Sequence, residues 1–108
     1  MPHTIGRAGD IVAILFGDPL TSPPSLDRNN KILWVARRID AASDLHISAQ
    51  RMDGTAAVGD PVEQSVQGGP GPSTIDLPAA GCWRLTLTWG GRTDRLDLEY
   101  IQPAAPSG

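Results

Sequence analysis

The sequence predicts an all-β domain built from two packed sheets, and three observations carry that expectation. Short apolar runs rich in Val, Ile, Leu and Trp recur along the chain. Clusters of Gly, Pro, Asp and Asn separate them, with 12 Gly and 10 Pro among 108 residues. No stretch sustains the i, i+3, i+4, i+7 apolar repeat of an amphipathic helix. A chain of this length closes one core but not two. Residues 1–9 lack apolar periodicity and residues 102–108 read QPAAPSG, so both are expected to be flexible flanks of a folded domain at 10–101.

IVAILF at 11–16 is continuously apolar, as expected of a strand buried on both sides or near an edge closed by a loop. It stops at Gly17-Asp18-Pro19. The stretch to Asn30 holds Pro23-Pro24 and Asn29-Asn30, so it reads as a long loop. KILWVARR at 31–38 is the second strand and LHISAQRM at 45–52 the third, with Leu45, Ile47 and Ala49 facing opposite to His46, Ser48 and Gln50. Asp53-Gly54 supplies a tight turn, and Gly59-Asp60-Pro61 introduces a short edge strand at 62–66. GGPGPS at 68–73 is a strong breaker before a brief strand at 74–77.

CWRLTLTW at 82–89 is the clearest strand, because Trp83, Leu85, Leu87 and Trp89 alternate strictly with Arg84, Thr86 and Thr88. Gly90-Gly91 is a two-residue hairpin signal. The last strand, 92–101, sets Leu96, Leu98 and Tyr100 against Arg95, Asp97 and Glu99. These runs give about seven strands. One open sheet would leave its apolar face wet, so they imply an immunoglobulin-like sandwich of two sheets.

Composition excludes several functions. The formal charge is −3, and the nine basic residues, eight Arg and Lys31, form no stripe, which argues against nucleic acid as a partner. The preference for Arg, with abundant Ala, Gly and Pro, points to a high-GC bacterial genome. No apolar run approaches the roughly 18 residues of a membrane span, so membrane insertion of this segment is not expected. The run at 11–16 lacks the flanks of a signal peptide, and any export signal the gene encodes would lie outside this sequence.

The candidate chemistry is sparse. A single cysteine, Cys82, leaves no intrachain disulfide and no multi-Cys zinc site. A copper site of the His₂Cys type needs a histidine beyond the cysteine, whereas His3 and His46 both precede it. Asp27, Asn29 and Asn30 offer oxygens to calcium, but not at the spacing of an EF-hand loop. No serine sits in a G-x-S-x-G elbow, and GGPGPS has no following helix to cradle a phosphate. No catalytic residue, metal or cofactor is therefore assigned, and the chain is read as not an enzyme. The enzyme alternative is a small hydrolase or transferase using Cys82 with His46 as base. The simpler reading of Cys82 is a partly buried strand residue.

Binding residues are expected mainly on the loop at 18–30, which is long for a compact domain. Pro19, Pro23 and Pro24 restrict its backbone, Leu20 and Leu26 supply apolar anchors, and Asp18, Asp27, Arg28 and Asn29 supply polar groups. The competing expectation is that both leucines fold back to close the end of the sandwich. Trp83 and Trp89 share a face with leucines and are assigned to the core. Trp34 joins the binding set as a candidate exposed ring, which keeps a carbohydrate-binding module as a further alternative.

Two segments carry a resemblance. NNKILWVAR and PSTIDLPAAGCWRLTLTWGG, through Lys31, Leu33, Trp34, Val35 and then Pro72, Ser73, Asp76, Pro78, Gly81, Cys82, Trp83 and Arg84, resemble a group of small uncharacterised proteins of high-GC bacteria. The Gly81-Cys82-Trp83-Arg84 element also looks like the end-strand pattern of secreted bacterial immunoglobulin-like domains. The second likeness implies a cell-envelope or secreted location. The sandwich pattern, the lack of a catalytic constellation and the acidic balance lead to the expectation of a non-enzymatic binding or accessory module there, with another envelope protein or a glycan as partner. Without an upstream export signal the expected location is the cytoplasm. The resemblance implies no activity.

Overall fold

A computed structural model describes residues 2–16, 20–22, 30–36 and 44–102. They form β1 (His3–Ile5), β2 (Ile11–Leu15), β3 (Leu20–Thr21), β4 (Lys31–Ala36), β5 (Leu45–Asp53), β6 (Ala56–Val66), β7 (Pro72–Thr74), β8 (Gly81–Trp89) and β9 (Arg92–Ile101). The protein is an all-β sandwich. One sheet has the order β1-β2-β4-β7, the other β3-β9-β8-β5-β6. Every pairing is antiparallel except β3 with β9, where Leu20 lies opposite Tyr100.

The period-two pattern decides which side chains fill the space between the sheets. From the larger sheet come Leu45, Ile47 and Ala49, Trp83, Leu85, Leu87 and Trp89, and Leu96, Leu98 and Tyr100. The smaller sheet contributes Ile11 and Ala13 with Ile32 and Trp34. Ile75 and Leu77 close the core from the segment after β7. Polar ends of the buried rings find acceptors, as they must in a dry core. Trp34 Nε1–H donates to Ser73 Oγ at 3.0 Å, Trp83 Nε1–H to the Ala79 carbonyl at 2.9 Å and the Tyr100 hydroxyl to the Ile75 carbonyl at 2.7 Å. Burial pushes the Tyr100 phenol well above its ordinary range, with the Asp76 carboxylate acting in the same direction.

The structure corrects four local expectations. Residues 3–5, assigned to a flexible flank, form β1 against β2, with His3 opposite Ile14 and Ile5 opposite Val12. Leu20 and Thr21, assigned to a loop, form β3, so the described strands number nine and not seven. Gly59-Asp60-Pro61 does not begin the edge strand but lies inside β6. The register jumps there from Ala49 opposite Val62 to Arg51 opposite Val58, and Gln50 Nε2 donates to the Val58 and Gly59 carbonyls that the bulge leaves open. Pro72 and Ser73 fall in β7 and not in the preceding breaker, because a proline at a sheet edge sacrifices no ladder bond.

Two buried polar side chains hold the N-terminal strands in place. Asn30 Oδ1 accepts from the Thr21 amide at 2.9 Å, while its Nδ2 donates to the Thr21 carbonyl at 2.8 Å and to Asp76 Oδ1 at 2.9 Å. One amide thus completes the backbone pairing that two-residue β3 lacks on that side. Asn30→Ala is expected to cost about 2–3 kcal/mol, since buried backbone groups lose their partners. Hydrogen exchange at the Thr21 amide should accelerate ahead of global unfolding; protection equal to the native protein's would count against this role.

The second is Asp94, which sits in the inward phase of β9 and is 3% exposed. Its carboxylate accepts from the amides of Ala8 at 2.8 Å, Asp10 at 3.0 Å and Arg95 at 2.8 Å. The Arg7 amide donates to the Arg95 carbonyl at 2.8 Å, so the turn between β1 and β2 is fixed across the sandwich onto β9. Gly6 permits that approach, because a Cβ there would overlap the Asp94 carboxylate. Burial by itself raises the Asp94 pKa; the amides of Ala8, Arg95, Asp10 and Ile11 together outweigh it and hold the carboxyl below its ordinary value of 3.8.

Candidate functional site

The two outer faces of the sandwich differ in chemistry. On the five-stranded sheet, ladder register aligns Ser65, His46, Thr88 and Thr93 in one row and Glu63, Ser48, Thr86 and Arg95 in the next. Gln50, Arg84 and Asp97 follow. These side chains satisfy one another: His46 Nε2 lies 2.9 Å from Glu63, and Asp97 takes Arg84 at 3.3 Å and Arg7 at 3.5 Å. Such exposed pairs register and solvate a sheet, contributing about 0–1 kcal/mol each.

The four-stranded sheet is different. Its outer face sets Ile5, Val12 and Val35 side by side across β1, β2 and β4, with Ile14 and Leu33 paired in the adjacent row. Ile5 is 56% and Val35 45% exposed. Together with Gly9, Asp10 and Ala36 the first row lines a shallow depression of about 330 Å³. Antiparallel sheets that face water usually alternate apolar with polar residues, and β2 and β4 do not. Of the two arrangements expected for the run at 11–16, neither is met among the described residues: Val12 and Ile14 are half-buried on a face that nothing described covers.

No family model, curated protein or solved structure matches the chain.

Of the binding residues expected from the sequence, Leu20 and Trp34 are core, each 1% exposed, so Leu20 follows the competing expectation of a closing residue. Trp34 is corrected from an exposed ring to a buried one, because its place in β4 shares the inward phase of Ile32. Leu26, Asp27, Arg28 and Asn29, with Asp18, Pro19, Pro23 and Pro24, lie outside the described residues. Asn30 is described and buried, with its Oδ1 accepting from the Thr21 amide and its Nδ2 donating to the Thr21 carbonyl and Asp76, so its side chain serves the fold.

Cys82 is exposed and stands opposite Met52 and Glu99. His46 stands opposite Thr88, six residues farther along β8 and roughly 20 Å away at about 3.3 Å per residue. The register therefore keeps thiol and imidazole from forming a nucleophile and base pair. Among the described residues no three His, Cys, Asp or Glu side chains cluster as a metal site, and no helix is long and apolar enough to cross a membrane. The outer face of the smaller sheet was missed from sequence, although two consecutive apolar runs with no polar alternation were its signal.

Proposed function

We propose that the protein is a non-enzymatic binding module of the bacterial cell envelope, an immunoglobulin-like sandwich that engages a partner protein through the outer face of β1, β2 and β4. The observation that carries the reading is the aliphatic row Ile5, Val12 and Val35, flanked by Ile14 and Leu33, on a sheet face that would otherwise meet water. A protein partner is favoured over a glycan because Trp34, Trp83 and Trp89 are all buried, branched aliphatic side chains offer no flat ring, and the exposed ring of Phe16 has the Lys31 ammonium over it at 5.9 Å.

Strand order supports the immunoglobulin-like part of the reading. The run β9-β8-β5-β6 corresponds to G-F-C-C′ of a variable-type domain, and β2-β4-β7 to A-B-E of the opposing sheet. Trp83, near the start of β8, returns its N–H to a carbonyl four residues upstream, the task a corner tyrosine performs in such domains. The envelope location rests on the likeness of Gly81-Cys82-Trp83-Arg84 to secreted bacterial domains.

The test is a photo-crosslinking amino acid at Val35, used in living cells of the source bacterium. A crosslinked protein from the envelope fraction is expected, abolished when Ile5→Ser is added and retained with Thr86→Glu on the opposite face. Cytoplasmic location of the full-length protein, a product insensitive to Ile5→Ser, or only a self-crosslinked dimer would overturn the proposal.

A further inference from the structure

The inward phase of β5 runs Leu45, Ile47, Ala49 and then Arg51, so a guanidinium occupies the place where the pattern calls for another core residue. Arg51 lies opposite the buried Trp83, at the end of the sandwich where β5 runs past the core. Its side chain lies against the backbone of Gly81, where a Cβ would stand 2.9 Å from Arg51 Nε, and Gly81 has a φ of 136°. A substitution there would strain the backbone and displace the guanidinium at once.

Beside it is a cavity of about 500 Å³ lined by Ser22, Arg51, Leu77, Pro78, Ala79, Ala80 and Gln102. Its wall from Leu77 to Ala80 is apolar and its rim carries Ser22 and Gln102. Two polar groups of the lining are already committed: Ser22 Oγ donates to the Leu77 carbonyl at 2.6 Å, and the Ala79 carbonyl accepts from Trp83. Of the rest, the Gln102 amide is exposed and neutral, whereas Arg51 carries a charge. Among the described residues its guanidinium forms no ion pair and no hydrogen bond, although it is half-buried.

We infer that this cavity is a binding site for a monocarboxylate with a small apolar body, the carboxylate pairing with Arg51 and the body lying against Leu77, Pro78 and Ala79. A fork of N–H donors beside an apolar wall matches a carboxylate that carries a hydrocarbon group. The same chemistry is presented by a free acid or by the C-terminal residue of a peptide. The site is at the end of the sandwich, away from the outer face of β2 and β4, and does not depend on the function proposed for that face.

Titration by ¹H–¹⁵N NMR, following Arg51 Nε–H and the Ala80 and Gly81 amides, tests it with 3-phenylpropionate and with a pentapeptide ending in Leu, each beside its carboxamide. Either acid is expected to bind at least about tenfold tighter than its amide, the effect of one charge-assisted bond. Which acid saturates at the lower concentration tells a free acid from a chain end. Arg51→Gln should abolish that preference and Arg51→Lys retain part of it, both with native amide spectra elsewhere. Equal binding of acid and amide, no shift at Gly81 with either acid, or an acid preference that survives Arg51→Gln would overturn the assignment.

Discussion

Replacing Trp83 by Ala should lower the unfolding free energy by about 3–5 kcal/mol, the usual range for losing a buried large aromatic. Trp83 is 2% exposed, lies between Arg51 and Leu98 across the ladder, and ties the start of β8 to Ala79 through its N–H. Two losses therefore combine: a cavity opens at one end of the core, and the Ala79 carbonyl loses its donor. Trp83→Phe should cost less, since it keeps one aromatic ring and loses the hydrogen bond, about 0.5–1.5 kcal/mol, together with the smaller void left by the second ring of the indole. Urea unfolding read by circular dichroism measures both, with an unchanged slope indicating that the unfolded state is the same. An alanine variant within about 1 kcal/mol of the native protein would mean that β8 is registered one residue away from the ladder described, because a slip of one exchanges the faces.

The second large effect is expected at Asp94. Asp94→Ala leaves the amides of Ala8, Asp10 and Arg95 without an acceptor, and should cost about 2–4 kcal/mol once water reaches some of them. Asp94→Asn offers a single acceptor oxygen and an amide that points donors at donors, so it should fall in the same range. The depressed pKa sets a pH dependence of definite sign. The folded carboxyl titrates below its ordinary 3.8, so its contribution is complete above that value and is lost as pH falls through the folded pKa. Urea midpoints measured from pH 6 to pH 2 should therefore drop at the acid end for the native protein, and drop less for Asp94→Asn. Parallel pH profiles for the two would remove Asp94 as the anchor of the β1–β2 turn.

Most of the sandwich was legible because it rests on period two. The alternation in 82–89 and 92–101 placed Trp83 to Trp89 and Leu96 to Tyr100 on the inner face, where they lie. What escaped was structure held by single polar contacts. β3 is two residues long, too short for any pattern, and exists through Asn30 and its parallel pairing with β9. β1 depends on a turn gathered by a carboxylate some 86 residues away, a relation no local window contains. Asp94 itself was discoverable, since it is the one acid standing in the apolar phase of its strand. Arg51 was discoverable in the same way. The burial of Trp34 is not legible from sequence because Leu33 and Val35 are apolar too, which hides the phase of β4 until the ladder fixes it.

The pairing of β3 with β9 and the clasp of Asp94 on residues 8–10 join the first turn of the chain to its last strand. Contacts this remote must wait for the loop between them to close, and a chain emerging from the ribosome N-terminus first makes the early strands long before their partner exists. Until Asp94 and Tyr100 have been synthesised, β1, β2 and β3 lack the side chains and ladder that hold them. Early structure must come instead from neighbours in sequence, the β1–β2 and β5–β6 hairpins, while the centre of the larger sheet waits for β8 and β9. Closure of the core is thus a late step, set by the arrival of β8 and β9, and until then the inner faces of the earlier strands stand open to water or to a chaperone.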